Sequence, residues 1–244
     1  MPLQVPDTSK PQIASTHAGY QNRVLATLPA EELALLRPYL SRVHLVASQV
    51  LYEPNTAPDA VYFLEQGIVA LVAEAGEQET IEIAMVGCEG VRGTGVLLQP
   101  DIVLQYSNVV QVAGLAYKVQ VANFLHVAAQ TPTLRDACLC DLGATIRQIA
   151  QTSACNGRHD LPKRLSRLLL MVHDRVDGDD LPLTQNQIAH MMGVRRAGVS
   201  TFMSVMQDHG LLQQKRGRVT LLDREGLMAR TCACYGKMRL DPAH

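Results

Sequence analysis

Two clusters of cationic side chains lie in the C-terminal third of the sequence, where their types and spacing suit contacts with a polyanion. Arg195 and Arg196 are adjacent, and Lys215, Arg216 and Arg218 follow around a glycine. An arginine guanidinium donates two parallel hydrogen bonds to a guanine edge or to a phosphate, whereas a lysine contacts phosphate as a point charge. This chemistry indicates nucleic-acid binding, provided that local structure brings the two clusters together.

The segment between the clusters has the pattern of two short helices joined by a tight turn. Thr184 with Gln187 predicts a capping box, Gly193 predicts the end of the first helix, and the second helix begins near Arg195. The apolar residues recur at steps of three or four: Ile188, Met191, Met192, Val199, Phe202, Met203 and Met206. This pattern predicts a helix-turn-helix, and residues 211–222 predict a hairpin, or wing, behind it.

In such a motif the start of the second helix enters the major groove of duplex DNA. We therefore expect Arg195, Arg196, Ser200 and Thr201 to contact DNA through that helix. The three cations of the wing are expected to contact phosphates.

The charge distribution agrees with this interpretation. Residues 1–155 carry 8 Lys and Arg against 14 Asp and Glu, whereas residues 156–244 carry 14 against 9. A basic C-terminal part behind an acidic N-terminal part is typical of a DNA-binding domain attached to a sensor. No apolar run has membrane-spanning length and the first 19 residues lack the apolar core of a signal peptide, so we expect a cytoplasmic protein without membrane contacts.

The N-terminal part divides into a flexible segment, residues 1–20, and a sensor domain, residues 21–130. Residues 22–28 and 29–40 predict two helices, and short β-branched and aromatic runs then alternate with turns, one of them at residues 65–67. The last strands are expected at residues 106–112 and 114–119. Many short strands at even spacing predict an antiparallel β-barrel or jelly roll.

A long helix follows at residues 131–155 and has a narrow apolar stripe that includes Leu142, Ile146 and Ile149. This stripe predicts a dimer interface, with an inter-domain helix as the alternative. A break is expected at residues 156–157, so the DNA-binding domain would span residues 156–244. Residues 225–238 predict one closing helix.

Two stretches resemble the Crp/Fnr family of bacterial regulators: VLYEPNTAPDAVYFLEQGIVALV at residues 50–72 and LTQNQIAHMMGVRRAGVSTFMSVMQDHGLL at residues 183–212. The resemblance covers about residues 22–240. The sequence also resembles a subgroup of this family that has a V-R-R-A-G-V recognition helix and a Cys-Tyr pair near the end, here Cys234-Tyr235. It implies an α+β chain with a cyclic-nucleotide-binding-like barrel, a dimerisation helix and a winged helix-turn-helix. It also implies a homodimer that binds double-stranded DNA and has RNA polymerase as a further partner.

Some residue roles carry over from the resemblance. Arg196 matches the base-contacting arginine of the recognition helix, and Thr184, Gln185 and Asn186 match a phosphate-contacting helix start. Family members that read the TGTGA half-site have a glutamate and a second arginine further along the recognition helix, and the corresponding positions here are Ala197 and Thr201. The sequence therefore does not predict that half-site.

The family's phosphate-binding cassette corresponds here to Arg92, Gly93, Thr94 and Gly95, which are the candidate effector residues. Arg92 is the only Arg or Lys between residues 43 and 117, and we expect it to be an ordinary surface arginine. A buried cyclic phosphate needs a cation and aligned donors. Cyclic AMP is therefore not an expected effector, and a barrel that serves only as an effector-independent dimerisation scaffold stays open.

Oxygen-sensing members of the family that this sequence resembles hold an iron–sulfur cluster on a cysteine-rich N-terminal segment. None of the six cysteines here precedes Cys88, so the resemblance does not imply a cluster. We expect most of them to be small core residues, no metal site, no cofactor, and Cys155 as the thiol to watch for redox chemistry. No catalytic residues are expected. A cupin-like enzyme fused to a DNA-binding domain is the alternative, but His44 is the one histidine between residues 41 and 124.

Overall fold

A six-stranded antiparallel sheet dominates the N-terminal half of the computed structural model of the chain, which describes residues 19–76 and 79–240. Its strands are β1 (Ser41–Leu45), β2 (Val50–Tyr52), β3 (Ala60–Gly76), β4 (Glu79–Val86), β5 (Val91–Arg92) and β6 (Tyr106–Gln120). They follow the order β1-β6-β3-β4, while β2 also pairs with β6 and β5 with β3. This sheet and the helices below confirm the predicted α+β fold.

The two central strands are longer than the sequence predicted. The turn expected at residues 65–67 is wrong, because β3 passes through these residues with a shift in its pairing to β6. Gly67 has φ +89°, and a Cβ there would lie 2.5 Å from a backbone oxygen of β6. The break expected between residues 112 and 114 is wrong for the same reason: Gly114 lets β6 continue against β3, where a Cβ would lie 2.0 Å from a backbone oxygen. The glycines allow a bulge rather than a turn.

Four helices accompany this sheet: α1 (Arg23–Thr27), α2 (Ala30–Leu36), α3 (Val121–Ala128) and α4 (Pro132–Arg158). The first two confirm the predicted helical pair, whereas α3 directly follows the last strand of the sheet. Asn22 caps α1, and its buried side-chain amide donates to the carbonyl oxygens of Leu64, Cys88 and Gly90. The predicted flexible segment lies outside the described residues except for its last two positions.

Helix α4 is attached to the sheet by side chains that bond to strand backbone. The amide of Gln148 accepts from Met85 N at 2.5 Å and donates to Met85 O at 3.1 Å. About two turns earlier in the helix, Asp141 accepts from Val91 N at 3.3 Å. These bonds hold α4 against β4 and β5, and they satisfy backbone groups that would otherwise be buried without partners.

The predicted break at Asn156-Gly157 is wrong, since α4 continues through both residues to Arg158. The break lies at His159 and Asp160: His159 has extended backbone angles, and the Asp160 carboxylate caps the next helix by accepting from Lys163 N at 3.2 Å. Asn and Gly in a helix cost only about 0.5–1 kcal/mol relative to good helix formers, which the packing of neighbouring residues readily offsets.

The C-terminal part consists of α5 (Leu161–His173), β7 (Asp180–Leu181), α6 (Gln185–Met192), α7 (Arg196–Asp208), β8 (Leu212–Lys215), β9 (Arg218–Leu221), α8 (Arg224–Arg230) and α9 (Cys234–Met238). The predicted single closing helix is wrong, because residues 231–233 separate α8 from α9. Residues 180–181 pair with β9 and make the wing three-stranded.

One hydrophobic cluster joins the two halves, and we refer to it as the junction core. It contains Ile68, Met85 and Val112 from the sheet together with buried residues of α5 to α9, among them Leu168 and Met191. Because burial of apolar surface stabilises this contact by roughly 25 cal/mol per Å², the sheet and the C-terminal part are packed as neighbours rather than joined only by α4.

Candidate nucleic-acid interface

The helix-turn-helix forms as the sequence predicted. Thr184 caps α6 through its hydroxyl, which accepts from Gln187 N at 3.2 Å, while the Gln187 side chain accepts from Thr184 N at 2.8 Å. Gly193 ends α6 with φ +60°, a conformation that favours glycine. The chain then turns and α7 begins after Arg195.

The two helices are held by apolar faces directed inward. The fully or nearly buried residues are Ile188, Met191, Met192, Val199, Met203 and Met206, whereas Phe202 and Val194 are half-buried. From below, Arg164 of α5 donates to Met192 O at 2.8 Å and satisfies a carbonyl at the end of α6. The two helices are therefore fixed against each other and against α5 while their outer faces stay open.

The wing hairpin presents its cations at and beside its tip. Lys215 pairs with Arg218 across β8 and β9, with Arg216 in the turn between them. Lys215 and Arg216 are exposed, but Arg218 has an ion pair with Asp180 at 3.4 Å. A hydrogen bond from the Thr220 hydroxyl and the Arg218 charge lower the pKa of Asp180, so this carboxylate is ionised at neutral pH and competes with DNA for Arg218.

Gln207 and Gln214, which the sequence analysis missed, help to attach the wing to α6 and α7. Gln214 of β8 accepts a hydrogen bond from Gln185 at the start of α6, and its backbone N–H donates to the Gln207 side chain of α7 at 2.8 Å. A half-buried polar residue in a short strand, such as Gln214, carries no distinctive sequence signal. Only the fold shows that Gln214 sets the position of the wing relative to the recognition helix α7.

These elements line one concave surface, which we call the basic cleft. Its lining consists of Leu183, Thr184, Gln185, Asn186, Arg196, Gln214, Lys215, Arg216, Gly217, Arg218 and Val219. It brings together seven of the ten residues predicted to contact DNA. Of the other three, Arg195 and Thr201 are exposed on α7 and Ser200 is half-buried. The Thr201 hydroxyl already donates to Ala197 O at 3.0 Å, which leaves only its acceptor lone pairs for a ligand.

The candidate effector residues are arranged differently from the expectation. Arg92 is not a surface residue: it is buried, and its guanidinium contacts Asp141 at 3.2 Å and the Thr145 hydroxyl at 3.0 Å on α4. The expectation of an ordinary surface arginine is therefore wrong. The isolation of Arg92 in the sequence conceals this pairing, because its partners lie about fifty positions later on another element.

The glycines of this cassette are used for close packing. Gly93 has φ +92°, and a Cβ there would lie 2.5 Å from the Tyr52 hydroxyl. Thr94 is buried. Residues Thr94–Leu97 form a short 3-10 helix, and the carbonyl oxygen of Gly95 accepts a hydrogen bond from Leu98 N. Tyr52 donates to Ala60 O at 2.6 Å and to Arg92 O at 3.2 Å, so it fixes the backbone beside the arginine.

Comparison with protein families agrees with the geometry of the basic cleft. Residues 163–230 match the Crp-like helix-turn-helix domain. This part of the chain is a Crp-like helix-turn-helix domain. It contains α6, α7 and the whole wing, and helix-turn-helix domains of this kind bind DNA.

Solved structures show the same fold over most of the chain. The FixK2 structure from Bradyrhizobium japonicum matches with a TM-score of 0.68 at 15% identity, covering 80% of this chain and 98% of that one. The c-di-GMP responsive global regulator CLP of Xanthomonas campestris matches with 0.64 at 14%, covering 79% and 99%. A CRP-family transcriptional regulator from Thermus thermophilus matches with 0.60 at 19%, covering 77% and 95%.

Residues 163–230 thus match a Crp-like helix-turn-helix domain, and the fold of the chain is the one seen in solved regulators of the Crp/Fnr family. No curated protein sequence matches the chain. Among residues 19–76 and 79–240, no helix has both the length and the apolar character that crossing a membrane requires.

Replacing Lys215, Arg216 and Arg218 together by alanine is expected to weaken DNA binding to all sequences alike. Each lost phosphate contact flattens the dependence of log affinity on log salt by about 0.9, because fewer counterions are released. Since Asp180 already pairs with Arg218, Arg218→Ala alone is expected to change the slope least. Fluorescence anisotropy over a salt series measures this, with Lys237→Ala, a charge loss outside the basic cleft, as the control. An unchanged slope in the triple variant would exclude the wing as a phosphate contact.

Proposed function

We propose that this protein is a homodimeric transcription regulator that reads a two-fold related DNA site through α7. The observation that supports it is the basic cleft, where Arg196, the start of α6 and the wing cations converge. In a helix-turn-helix dimer the two recognition helices enter successive major grooves, with half-sites roughly 34 Å apart. RNA polymerase would be the further partner of such a regulator at a promoter.

The outer face of α4 supports the dimer. Leu134 and Cys138, near the start of α4, are fully buried in the core of the same chain. The later ones are not: Ile146 is 59% exposed, and Leu142 and Ile149 are half-buried. Together with Leu139 and Ser153, these three residues recur at steps of three and four along one side of the helix. That is the spacing of a seam between two paired helices.

Opposite sides of α4 face the core and the solvent, so one helix can pack against the sheet and still offer a seam to a second copy. Thr145, next to the exposed Ile146, is buried and accepts from Arg92 at 3.0 Å. The side of α4 that carries Asp141 and Gln148 holds the sheet, so the side that carries Ile146 is available for a second copy. We propose that two copies of α4 pair along this side.

For control of the protein we propose that cyclic nucleotides are not the signal. A buried anion needs a cation whose charge is not already compensated. Burial raises the pKa of Asp141 to about 6 while Arg92 lowers it, so at neutral pH the carboxylate is largely ionised and neutralises Arg92. The c-di-GMP response stated for the Xanthomonas campestris regulator is therefore not extended to this chain. An effector of another class, or a barrel that acts only as a scaffold, is compatible with this pairing.

The cupin-like enzyme is not favoured by any feature of the described residues. His44 lies exposed on β1 rather than inside the sheet, so it cannot be joined there by further ligands of a cupin centre. We propose a regulator without enzymatic activity.

Arg196→Ala is expected to lower affinity for the preferred DNA site by about 1–3 kcal/mol and to relax preference at one base pair, because a bidentate arginine–guanine contact has this value. The preferred site is obtained by selection from random duplexes with the wild-type protein and then with the variant. The wing triple variant is the matched comparison, since it should weaken binding without altering the selected sequence. A uniform loss with Arg196→Ala would instead make Arg196 a phosphate contact.

Leu142→Glu combined with Ile149→Glu is expected to dissociate the dimer, since pairing would bury two unpaired carboxylates in each copy. We expect the dissociation constant to rise about a hundredfold or more, equivalent to about 3 kcal/mol. Sedimentation equilibrium measures it. Ala144→Glu adds a carboxylate on an exposed part of α4 outside the seam and should leave the dimer intact. A stable dimer after the double change would place the interface elsewhere.

Cyclic AMP and c-di-GMP are both expected to give no binding heat up to millimolar concentration, because Asp141 already neutralises Arg92. Isothermal titration calorimetry of the wild-type protein tests this directly. Saturable binding in the micromolar range that Arg92→Ala abolishes would contradict the proposal and restore the cyclic-nucleotide interpretation.

A further inference from the structure

A group of sulfur and nitrogen atoms gathers where α4 meets the segment between α8 and α9. Cys155 and His159 lie four residues apart at the end of α4, and Cys232 and Cys234 lie on either side of Ala233. Their ligand atoms all lie within 4.8 Å of one another. The two pairs are more than seventy residues apart in sequence, so neither spacing alone revealed the group.

The individual distances are those of ligands around a single ion. Cys155 Sγ lies 3.5 Å from Cys232 Sγ, and Cys234 Sγ lies 3.6 Å from His159 Nδ1. Around a tetrahedral zinc ion with Zn–S of about 2.3 Å and Zn–N of about 2.0 Å, neighbouring ligand atoms are about 3.5–3.8 Å apart. Small side-chain adjustments would therefore bring all four atoms to bonding distance.

Burial and chemistry agree with these distances. The three cysteines are buried and His159 is half-buried, so the group is largely shielded from water. The Gln151 amide donates to Cys234 Sγ at 3.0 Å, which is the kind of contact that orients and stabilises a metal-bound thiolate. Three thiolates and one imidazole form a ligand set that zinc prefers in structural sites.

The other arrangements of these residues explain less. A disulfide between Cys155 and Cys232 would need an S–S distance of about 2.05 Å and would leave Cys234 and His159 without a role. An iron–sulfur cluster holds its ligands farther apart, because several iron and sulfide atoms lie between them. Cysteines that serve only as small apolar residues, such as Cys88 and Cys138, are buried away from this group.

We propose that Cys155, His159, Cys232 and Cys234 bind one zinc ion that joins the end of α4 to the connection between α8 and α9. The ion would fix the break at His159 and Asp160, the point at which the proposed dimerisation helix passes into the DNA-binding domain. Sequence reasoning expected no metal site, and this group is where that expectation can be tested.

The first measurement is the metal content of the full-length protein purified under reducing conditions without chelators. We expect one zinc ion per chain by inductively coupled plasma mass spectrometry, and its loss in Cys234→Ser. Cys140→Ser, which changes an exposed cysteine outside the group, is the matched control and should retain the ion. Substoichiometric zinc in the wild type, or retention by Cys234→Ser, would overturn the proposal.

A second measurement does not depend on the folding of any variant. Metal-free wild-type protein titrated with Co²⁺ under reducing conditions should develop the visible ligand-field bands of tetrahedral cobalt and thiolate-to-cobalt charge transfer, saturating at one equivalent and lost on addition of zinc. Absence of these bands would overturn the site. Mass spectrometry of protein purified without reductant that showed a Cys155–Cys232 disulfide and no metal would also overturn it, in favour of a redox pair.

Discussion

The ion pair between Glu89 and the buried Arg175 is the contact on which the arrangement of the two halves depends. Glu89 follows β4 and Arg175 follows α5, and their charged atoms lie 2.6 Å apart. The Arg175 side chain is 1% exposed and also donates to Met171 O. Glu89 is partly exposed, but removing it would leave the Arg175 guanidinium buried without its partner, and losing one partner of a buried pair costs about 3–5 kcal/mol.

The apolar junction core contributes to the same contact between the two halves, and a second acidic residue, Glu82, is also buried in the protein. Burial raises the pKa of Glu82 to about 7, although the Gln111 amide donates to its carboxylate at 2.7 Å and lowers the pKa. Ionisation of the buried Glu82 carboxyl costs folding free energy, so this residue opposes the apolar packing that stabilises the contact between the sheet and the C-terminal part. A junction of this kind can respond to a small change on either side, because packed interfaces shift between discrete arrangements.

Helix α4 connects these features. Its inner side holds the sheet through Asp141 and Gln148, its outer side carries the apolar residues around Ile146, and its end reaches the group that includes Cys155. A displacement of the sheet relative to α4 would therefore be passed both to the proposed dimer seam and to the start of the DNA-binding domain. The basic cleft itself is stabilised locally by Gln214, so it can move as a unit.

The amino-acid sequence determined the features that rest on local chemistry. The capping box at Thr184, the end of α6 at Gly193 and the basic wing were predicted because capping, φ preference and charge act between neighbouring residues. The order of sheet, long helix and helix-turn-helix followed from apolar periodicity in the same way. What the tertiary structure alone decided are the long-range pairings: Arg92 with Asp141, Gln214 with both helices, and the approach of Cys232 to Cys155. The continuity of β3 through Gly67, which lies against the backbone of β6, belongs to this second group. In each case the decisive partner lies far away in sequence, so no local pattern encodes it.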